Sequence, residues 1–497
     1  MKILFFTFLF LSSLVNSQPL KTPLEKSDYN KLTSYPDLIQ FLNEAAGINP
    51  NLKIEYFAKS IEGRDVPIVK ISKGNFGEDD NKIKVLIFAQ QHGNEPSGKE
   101  GALLLIKKFA EGEYDSLLTK IDFAIVPQMN PDGSEKNKRR NGNDADLNRD
   151  HLILLQPETA GLHKIFNQYL FEAAMDVHEY FPYTEDWIEF GYIKNFDEQI
   201  GTTTNPNVSK EVRVFSNMSY LPFIKKYLNN KGFSFQNYIL GGPPEKELIR
   251  HSTYDINDGR QSFGILNSFS FIQEGLNGEG YTIQNIKSRA EGQLTGMLGF
   301  LEFIYGNKEK IKNLVKDERA KLIENKSSDK VSIQMDHFKN DKTLRLNLLS
   351  LYSNKDTVVV VKNYHPVVKP LLQAVRPEGY LIPKNLTKVI EWAGRQNIKL
   401  ETSFKINNEK IEEYFVTKID SINFEGDTVI NPKVEVKELP KNFNTSDYYY
   451  ISTKQLQSNL IVTALEPRSM IGLATYEFFS DLIKTNENYP ILRVTKY

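Results

Sequence analysis

Two side chains that can bind a metal ion, His92 and Glu95, lie three residues apart in the sequence. They follow an apolar run rich in β-forming residues at 82–89, which predicts a buried strand. An apolar run at 99–109 comes after them and predicts a helix with Ser97 near its N-cap. Both side chains are therefore expected in the turn at the C-terminal end of a strand, where open α/β sheets bind ligands. An imidazole and a carboxylate this close can reach one cation, and zinc takes such N and O ligands.

Two later strand ends carry side chains of the same types. The apolar run 173–177 leads into His178, and the run 268–273 ends at Glu274. The 82 residues between Glu95 and His178 are too many for a local zinc finger, but adjacent strands of one sheet can bring them together. A carboxylate at a strand end beside apolar residues is a candidate general base with a raised pKa. Taken singly, His92 and Glu95 are also typical of a turn cap, and His178 of a core histidine.

A polar loop at 138–150 contains three arginines, Arg139, Arg140 and Arg149, and follows a predicted strand at 121–127. Guanidinium groups match the geometry of carboxylates and developing oxyanions, so an anion clamp is one interpretation. A solvated charged face is the other. The loop alone does not decide between them.

The elements that must position these residues are predicted from the patterns around them. Segments 52–60 and 66–71 predict a hairpin, and 158–170 predicts an amphipathic helix. A helix at 286–305 closes this part of the chain. Residues 308–330 are charged and helix-prone and are interpreted as a linker helix.

The ordered set of residues resembles the carboxypeptidase A-like zinc metallopeptidases. The resemblance covers about residues 32–305 and implies an α/β fold with a mixed central sheet and flanking helices. The motifs that carry it are, in chain order, His92-Gly93-Asn94-Glu95, Arg139-Arg140-Asn141, Asp146-Leu147-Asn148-Arg149, His178 and Glu274.

The resemblance implies that His92, Glu95 and His178 bind one zinc ion per chain. Glu274 would be the general base that activates the attacking water and passes its proton to the leaving amine. The physical account agrees, because zinc lowers the pKa of bound water and polarises a carbonyl. Such a site needs no Ser or Cys nucleophile.

The resemblance also implies roles for the arginines of the polar loop. Arg139, nine residues before Asn148, would stabilise the oxyanion, with Arg140 as the alternative. Asn148 and Arg149 would bind the terminal carboxylate of a substrate. The best candidate for the mobile, substrate-binding tyrosine of the family is Tyr254, twenty residues before Glu274, with a core or surface tyrosine as the alternative.

The sequence departs from the family pattern at Asn94, where typical exopeptidases carry Arg. Arg260 is expected either to contact a carboxylate or to form a structural salt bridge. The residue that sets the side-chain preference of the pocket cannot be placed.

Composition excludes several classes of protein. The 497 residues contain 62 basic and 63 acidic side chains, a balance that gives no reason to expect nucleic acid or an anionic membrane as a partner. The chain has no cysteine, which excludes disulfides, thiolate metal sites and a Cys nucleophile.

Residues 1–17 are interpreted as a secretory signal peptide, with Lys2, an apolar run at 3–14 and a small-residue cleavage site before Gln18. The chain is therefore expected to be secreted or periplasmic, without a membrane anchor after cleavage. No propeptide is evident, so no zymogen step is expected.

The predicted domains are a catalytic domain at 18–307, the linker helix at 308–330 and a β-rich accessory domain at 331–497. The leading hypothesis is a secreted zinc metallocarboxypeptidase acting on peptides with a free C-terminus, cell-wall peptides included. One alternative is a zinc amidase or deacylase on the same fold. Another is a catalytically silent module that binds peptides or glycans.

Overall fold

The structure is a computed structural model that describes residues 19–278, 283–325, 329–406 and 408–496. The predicted signal peptide at 1–17 lies outside the described residues. Within them, no helix is both long enough and apolar enough to cross a membrane.

The helices and strands alternate through the first part of the chain, and strands dominate the last part. The helices are α1 (Pro23–Lys26), α2 (Tyr35–Ile48), α3 (Pro96–Ala110), α4 (Pro131–Glu135), α5 (Pro157–Tyr169), α6 (Glu185–Glu189), α7 (Lys210–Phe215), α8 (Leu221–Asn230), α9 (Gly259–Gly264), α10 (Ile286–Ile323), α11 (Thr387–Arg395) and α12 (Ser458–Leu465). The first strands are β1 (Leu52–Lys59), β2 (Asp65–Ile71), β3 (Ile83–Ala89), β4 (Ile121–Val126), β5 (Ala173–Tyr180), β6 (Tyr192–Lys194), β7 (Glu198–Thr202), β8 (Phe235–Asn237), β9 (Ile239–Gly241), β10 (Ile249–His251) and β11 (Phe269–Leu276). The remaining strands are β12 (Lys330–Phe338), β13 (Leu344–Ser350), β14 (Lys355–Val361), β15 (Tyr364–His365), β16 (Val367–Val375), β17 (Gly379–Pro383), β18 (Lys410–Phe424), β19 (Asp427–Glu438), β20 (Tyr448–Ser452) and β21 (Leu492–Thr495).

A mixed sheet of eight strands forms the centre, in the order β1-β2-β4-β3-β5-β11-β7-β8. The middle strands β4, β3, β5 and β11 run parallel, and β2 and β7 are antiparallel to this group on its two sides. Every residue of β4 and β5 is buried, as expected for parallel strands covered on both faces. The predicted α/β fold with a mixed sheet and flanking helices is confirmed.

The register of the parallel strands brings the predicted site residues to one edge. Glu274 in β11 lies directly opposite His178 in β5, and Val177 lies opposite Ala89, the last residue of β3. Opposed residues of parallel strands point to the same face of the sheet. The turn that carries His92 therefore begins beside the two strand ends that carry His178 and Glu274.

Two apolar clusters cover the two faces of the sheet. The first joins the strands to α2, α3, α8 and α10, with members such as Phe41, Leu103 and Met297. The second joins α5 and α9 to the C-terminal part of the chain, and it includes Phe166 and Trp392. The C-terminal region thus supplies part of the core that supports the catalytic sheet.

The predicted linker at 308–330 overlaps a longer helix that begins within the predicted catalytic domain. A single 38-residue helix, α10, runs through it with one non-helical residue, Asn307, at φ −120° and ψ 17°. Ile311 and Val315, beyond that residue, are buried in the first apolar cluster. The charged pattern marks the exposed side of this helix, while its apolar side packs on the sheet.

The C-terminal region is β-rich, as predicted, and it shares sheets with the catalytic region. Strands β17 to β21 form a five-stranded sheet in the order β19-β18-β21-β17-β20. Two small sheets contain strands from both regions: β6 pairs with β13, and β10 pairs with β15. Backbone hydrogen bonds therefore join the two regions, in addition to apolar packing.

Trp392 provides a test of this shared core. Its indole is fully buried, and its Nε1 donates a hydrogen bond of 2.8 Å to the backbone oxygen of Leu152. We expect Trp392→Ala to lower the free energy of unfolding by about 3–5 kcal/mol, because it removes a large buried ring and leaves a cavity. Trp392→Phe keeps most of the ring and should cost much less. Urea unfolding followed by circular dichroism measures both, and equal stability of Trp392→Ala and the wild type would contradict a shared core.

Candidate active site

Three potential metal ligands converge at the C-terminal edge of β3 and β5. The Nδ1 atoms of His92 and His178 are 3.1 Å apart, and they lie 2.7 Å and 2.9 Å from the two carboxylate oxygens of Glu95. All three side chains are buried. Ligand atoms around a tetrahedral zinc ion, at 2.0–2.1 Å from it, are about 3.3–3.4 Å apart, so this arrangement fits such an ion. Among the described residues, this is the group of His and acidic side chains whose spacing suits a metal.

Each histidine is oriented by a carboxylate on its outer nitrogen. His178 Nε2 lies 2.8 Å from Asp176 Oδ1, and His92 Nε2 lies 3.2 Å from Asp146 Oδ1. Histidine ligands of metal ions commonly have this second partner, which fixes the ring and makes its free nitrogen a better ligand. Sequence reasoning did not assign either aspartate. The spacing of Asp176 and His178 was an available signal, since residues two apart on a strand share a face.

Burial alone would raise the pKa of the Glu95 carboxyl, but the two histidines outweigh burial and hold that pKa well below its usual range. The backbone N–H of Glu179 also donates to Glu95, at 3.1 Å. Glu95 is therefore ionised at neutral pH. An ionised carboxylate and two imidazole nitrogens are a suitable donor set for zinc.

The turn between β3 and α3 is fixed by contacts with the next loop. Gly93 N donates to the backbone oxygen of Arg139 at 3.2 Å, and Asn130 donates to the same oxygen and to that of Gln91. A Cβ atom on Gly93 would lie 2.1 Å from the backbone carbon of Gly133, so only glycine fits there. These contacts tie the arginine loop to the ligand turn.

The structure brings Arg139, and not Arg140, to the ligands. The Nη1 atom of Arg139 lies 3.2 Å from His92 Nδ1, and its Nε and Nη2 atoms lie 3.1 Å and 3.0 Å from Asp146 Oδ2. Arg140 instead donates to the backbone oxygen of Asp144 and is exposed. Asp146 therefore orients both a ligand and a cation.

Glu274 lies beside the ligands with its carboxylate in the same cavity. Burial raises the pKa of Glu274 to about 7, opposed by His178 and assisted by the negative charge of Glu95. A carboxylate with a pKa near the working pH accepts and returns a proton readily.

Asn148 and Arg149 occupy different environments. The side chain of Asn148 is buried, where its Oδ1 accepts a 2.8 Å hydrogen bond from Gly259 N. Arg149 is exposed and lines the cavity. Burial would lower its pKa, but the charges of Asp255 and Asp146 raise that pKa above its ordinary value. Arg149 is a permanent cation available to a ligand. Asn148 also lines the cavity, but its amide oxygen already accepts a hydrogen bond from the backbone of Gly259.

The structure does not bring Tyr254 to the cavity, which corrects the sequence prediction. Its ring is buried against His337 and Phe424 of the C-terminal region. Tyr238 lines the cavity instead. It lies between two strands of three residues each, and no sequence spacing marked it.

Arg260 forms a structural salt bridge, one of its two predicted roles. It is fully buried, and its Nη2 lies 2.7 Å from Asp258 Oδ2. The cavity itself has a volume of about 270 Å³. Its wall includes His92, Glu95 and Arg139, and also Lys194, which the sequence analysis did not predict.

Comparison with known sequences agrees with this site. The sequence profile of the family described as zinc carboxypeptidase matches residues 38–208. Residues 38–208, about a third of the chain, are similar to the zinc carboxypeptidases. The matched residues include the three potential ligands, Arg139, Asn148 and Arg149, whereas Glu274 lies beyond them. The family is zinc-dependent, and the His-Glu-His cluster provides the donor set that zinc requires.

Curated relatives match different lengths of the chain. It is 24% identical to carboxypeptidase 2 of Trichophyton tonsurans over 458 residues, covering 88% of this chain and 81% of that protein. It is 28% identical to human carboxypeptidase D over 178 residues, covering 31% of this chain and 13% of that protein. The enzyme is a metallocarboxypeptidase by its family and these relatives.

Solved structures of similar proteins are metallocarboxypeptidases. One from Burkholderia cenocepacia is 17% identical, with a TM-score of 0.43 over 56% of this chain and 70% of that chain. Another, from Pseudomonas aeruginosa in complex with (2-guanidinoethylmercapto)succinic acid, is 20% identical, with a TM-score of 0.43 over 57% of this chain and 71% of that chain.

The contact between Asp176 and His178 can be tested by metal affinity. We expect Asp176→Asn to weaken zinc binding about 10–100-fold, because it removes the charge that fixes and polarises the histidine ring. Competition with a chromogenic chelator measures the affinity. Asp317→Asn, an exposed aspartate of α10, is the matched control and should bind zinc as the wild type does. Unchanged affinity of Asp176→Asn would rule out this role.

Proposed function

We propose that this zinc carboxypeptidase removes the C-terminal residue of peptides with a free terminal carboxylate, with Glu274 as the general base. The observation that carries the proposal is the position of Glu274. It lies opposite His178 in register, and it lines one cavity with His92 and Glu95 of the cluster and the exposed cation Arg149. One cavity thus contains a metal site, a base and a group that can bind a carboxylate.

His92, Glu95 and His178 would hold the zinc ion. When bound, zinc lowers the pKa of a water molecule and polarises the carbonyl of the scissile bond. Glu274 accepts the proton of the attacking water and then donates it to the nitrogen of the leaving residue. Its raised pKa suits both steps, because the same carboxyl must be a base first and an acid second.

Two arginines, Arg139 and Arg149, would orient the peptide in the cavity. Arg139 is held beside the ligands by Asp146, where it can donate to the oxygen of the scissile carbonyl as negative charge develops. Arg149 can form a charge-assisted hydrogen bond with the terminal carboxylate and so place the last peptide bond beside Glu274. A peptide that lacks a free terminus loses that contact.

We also propose that the chain is exported by a signal peptide at 1–17, on the basis of the charge and apolar pattern of those residues. N-terminal sequencing of protein recovered outside the cytoplasm should give Gln18 as the first residue.

Replacing the base should reduce the chemical step without removing the metal. Glu274→Gln is expected to lower kcat about 10²–10⁴-fold, because the amide cannot accept the proton. Zinc content measured by mass spectrometry should stay that of the wild type. Wild-type kcat/KM should decline as the pH falls through the pKa of Glu274, since protonation removes the base. Full activity of Glu274→Gln would exclude the assigned role.

Arg149 should control the recognition of the free terminus. For peptides with a free carboxylate, Arg149→Ala is expected to raise KM about tenfold or more, because a charge-assisted contact is lost. Peptides with an amidated terminus should be poor substrates of both proteins. Arg140→Ala, an exposed neighbour that points away, is the control. Equal cleavage of free and amidated peptides would favour an amidase or deacylase instead.

A further inference from the structure

A lysine without a role in the proposed reaction, Lys194, lines the same cavity as Arg149 and Glu274. It is the last residue of β6 and is partly exposed. Its ammonium nitrogen lies 5.8 Å from the ring centre of Tyr180 and 5.1 Å from that of Trp187. The faces of aromatic rings attract cations, so these two side chains hold the ammonium group at the cavity wall.

The ammonium group of Lys194 has no carboxylate within 4.0 Å among the described residues, and the same is true of the guanidinium group of Arg149. Several other charged groups of the wall have partners, whereas the carboxylate of Glu274 has no cation within 4.0 Å among the described residues. The pairs are Arg139 with Asp146, Glu179 with Arg289, and Asp258 with Arg260. Two cations therefore face the cavity without an ion pair. A partly desolvated charge is stabilised when a ligand of opposite charge pairs with it.

Lys194 carries its charge at neutral pH. Burial lowers the pKa of Lys194 to about 8, and the more distant charges of Glu274 and Glu247 oppose this change. An anionic ligand would favour the protonated form further.

We infer that Lys194 binds an acidic side chain of the substrate, so that the enzyme prefers peptides with Asp or Glu beside the scissile bond. The inference rests on the proposed function, in which Arg149 takes the terminal carboxylate. Two unpaired cations match two anionic groups on one peptide end: the terminal carboxylate and a side-chain carboxylate. That side chain belongs to the last residue or to the one before it, and the experiment below separates the two.

The C-terminal region holds Lys194 in place. Strand β6 pairs with β13, and Lys194 lies opposite Leu348. Leu348 packs in one buried cluster with Tyr180 and Trp187, the two rings beside the ammonium group. The next residue, Asn195, donates a 2.9 Å hydrogen bond to Asp356. The region that carries no catalytic residue thus positions the proposed specificity residue.

The test compares blocked dipeptides that differ by one isosteric change. The pair Ala-Glu and Ala-Gln varies the last residue, and the pair Glu-Ala and Gln-Ala varies the residue before it. We expect the zinc-loaded full chain to show a kcat/KM at least about tenfold higher for the acidic member of one pair, and the responding pair identifies the position. Lys194→Met should bring that ratio close to one. Lys399→Met, an exposed lysine of the C-terminal region, should keep the wild-type ratio.

A reversed charge provides a second variant. Lys194→Glu should favour a Lys residue over Gln at the same position, which a merely structural lysine would not produce. If Lys194 only adjusts the ionisation of Glu274, Lys194→Met will shift the pH profile of both members of a pair alike and leave their ratio unchanged. That result, or a wild type that does not distinguish Glu from Gln, overturns the inference. Failure to cleave any peptide with a free terminus would instead overturn the proposed function.

Discussion

The central constraint on this structure is the convergence of two imidazoles and one carboxylate, with ligand atoms about 3 Å apart, at the ends of two parallel strands. Buried polar groups this close are stable only when their remaining atoms are satisfied. Asp146 and Asp176 bind the outer nitrogens of His92 and His178, and the backbone of Glu179 donates to Glu95. The rigid strands set the distances, and the aspartates set the ring orientations.

The parallel register extends this constraint to the proposed base. Glu274 lies opposite His178 on the neighbouring strand, so the same hydrogen bonds that build the sheet place the carboxylate beside the metal site. The loop that carries Arg139 is positioned by side-chain contacts instead. Asn130 donates hydrogen bonds to the backbone oxygens of both Arg139 and Gln91, which joins this loop to the turn that carries His92. The position of the proposed base therefore depends on strand register, whereas the position of Arg139 depends on loop contacts.

The catalytic and C-terminal regions both contribute to the structure around the cavity. The first supplies the potential metal ligands, the proposed base Glu274 and the two arginines. The second covers one face of the central sheet through Trp392 and its neighbours, and it pairs with β6 and β10. The cavity wall around Lys194 is thereby supported from both regions. Helix α10 and the shared sheets cross the predicted boundary at 307/308.

The sequence by itself determined the strands before His92, His178 and Glu274, since local apolar runs and turns fix such elements. It also determined the ligand types, because a metal site needs particular side chains at strand ends. Only the tertiary structure decided which tyrosine and which lysine line the cavity. Tyr254 is near Glu274 in sequence but buried by the C-terminal region. Tyr238 reaches the cavity from between two short strands, and Lys194 from the end of another. Their positions depend on contacts between residues far apart in the chain, which local patterns do not record.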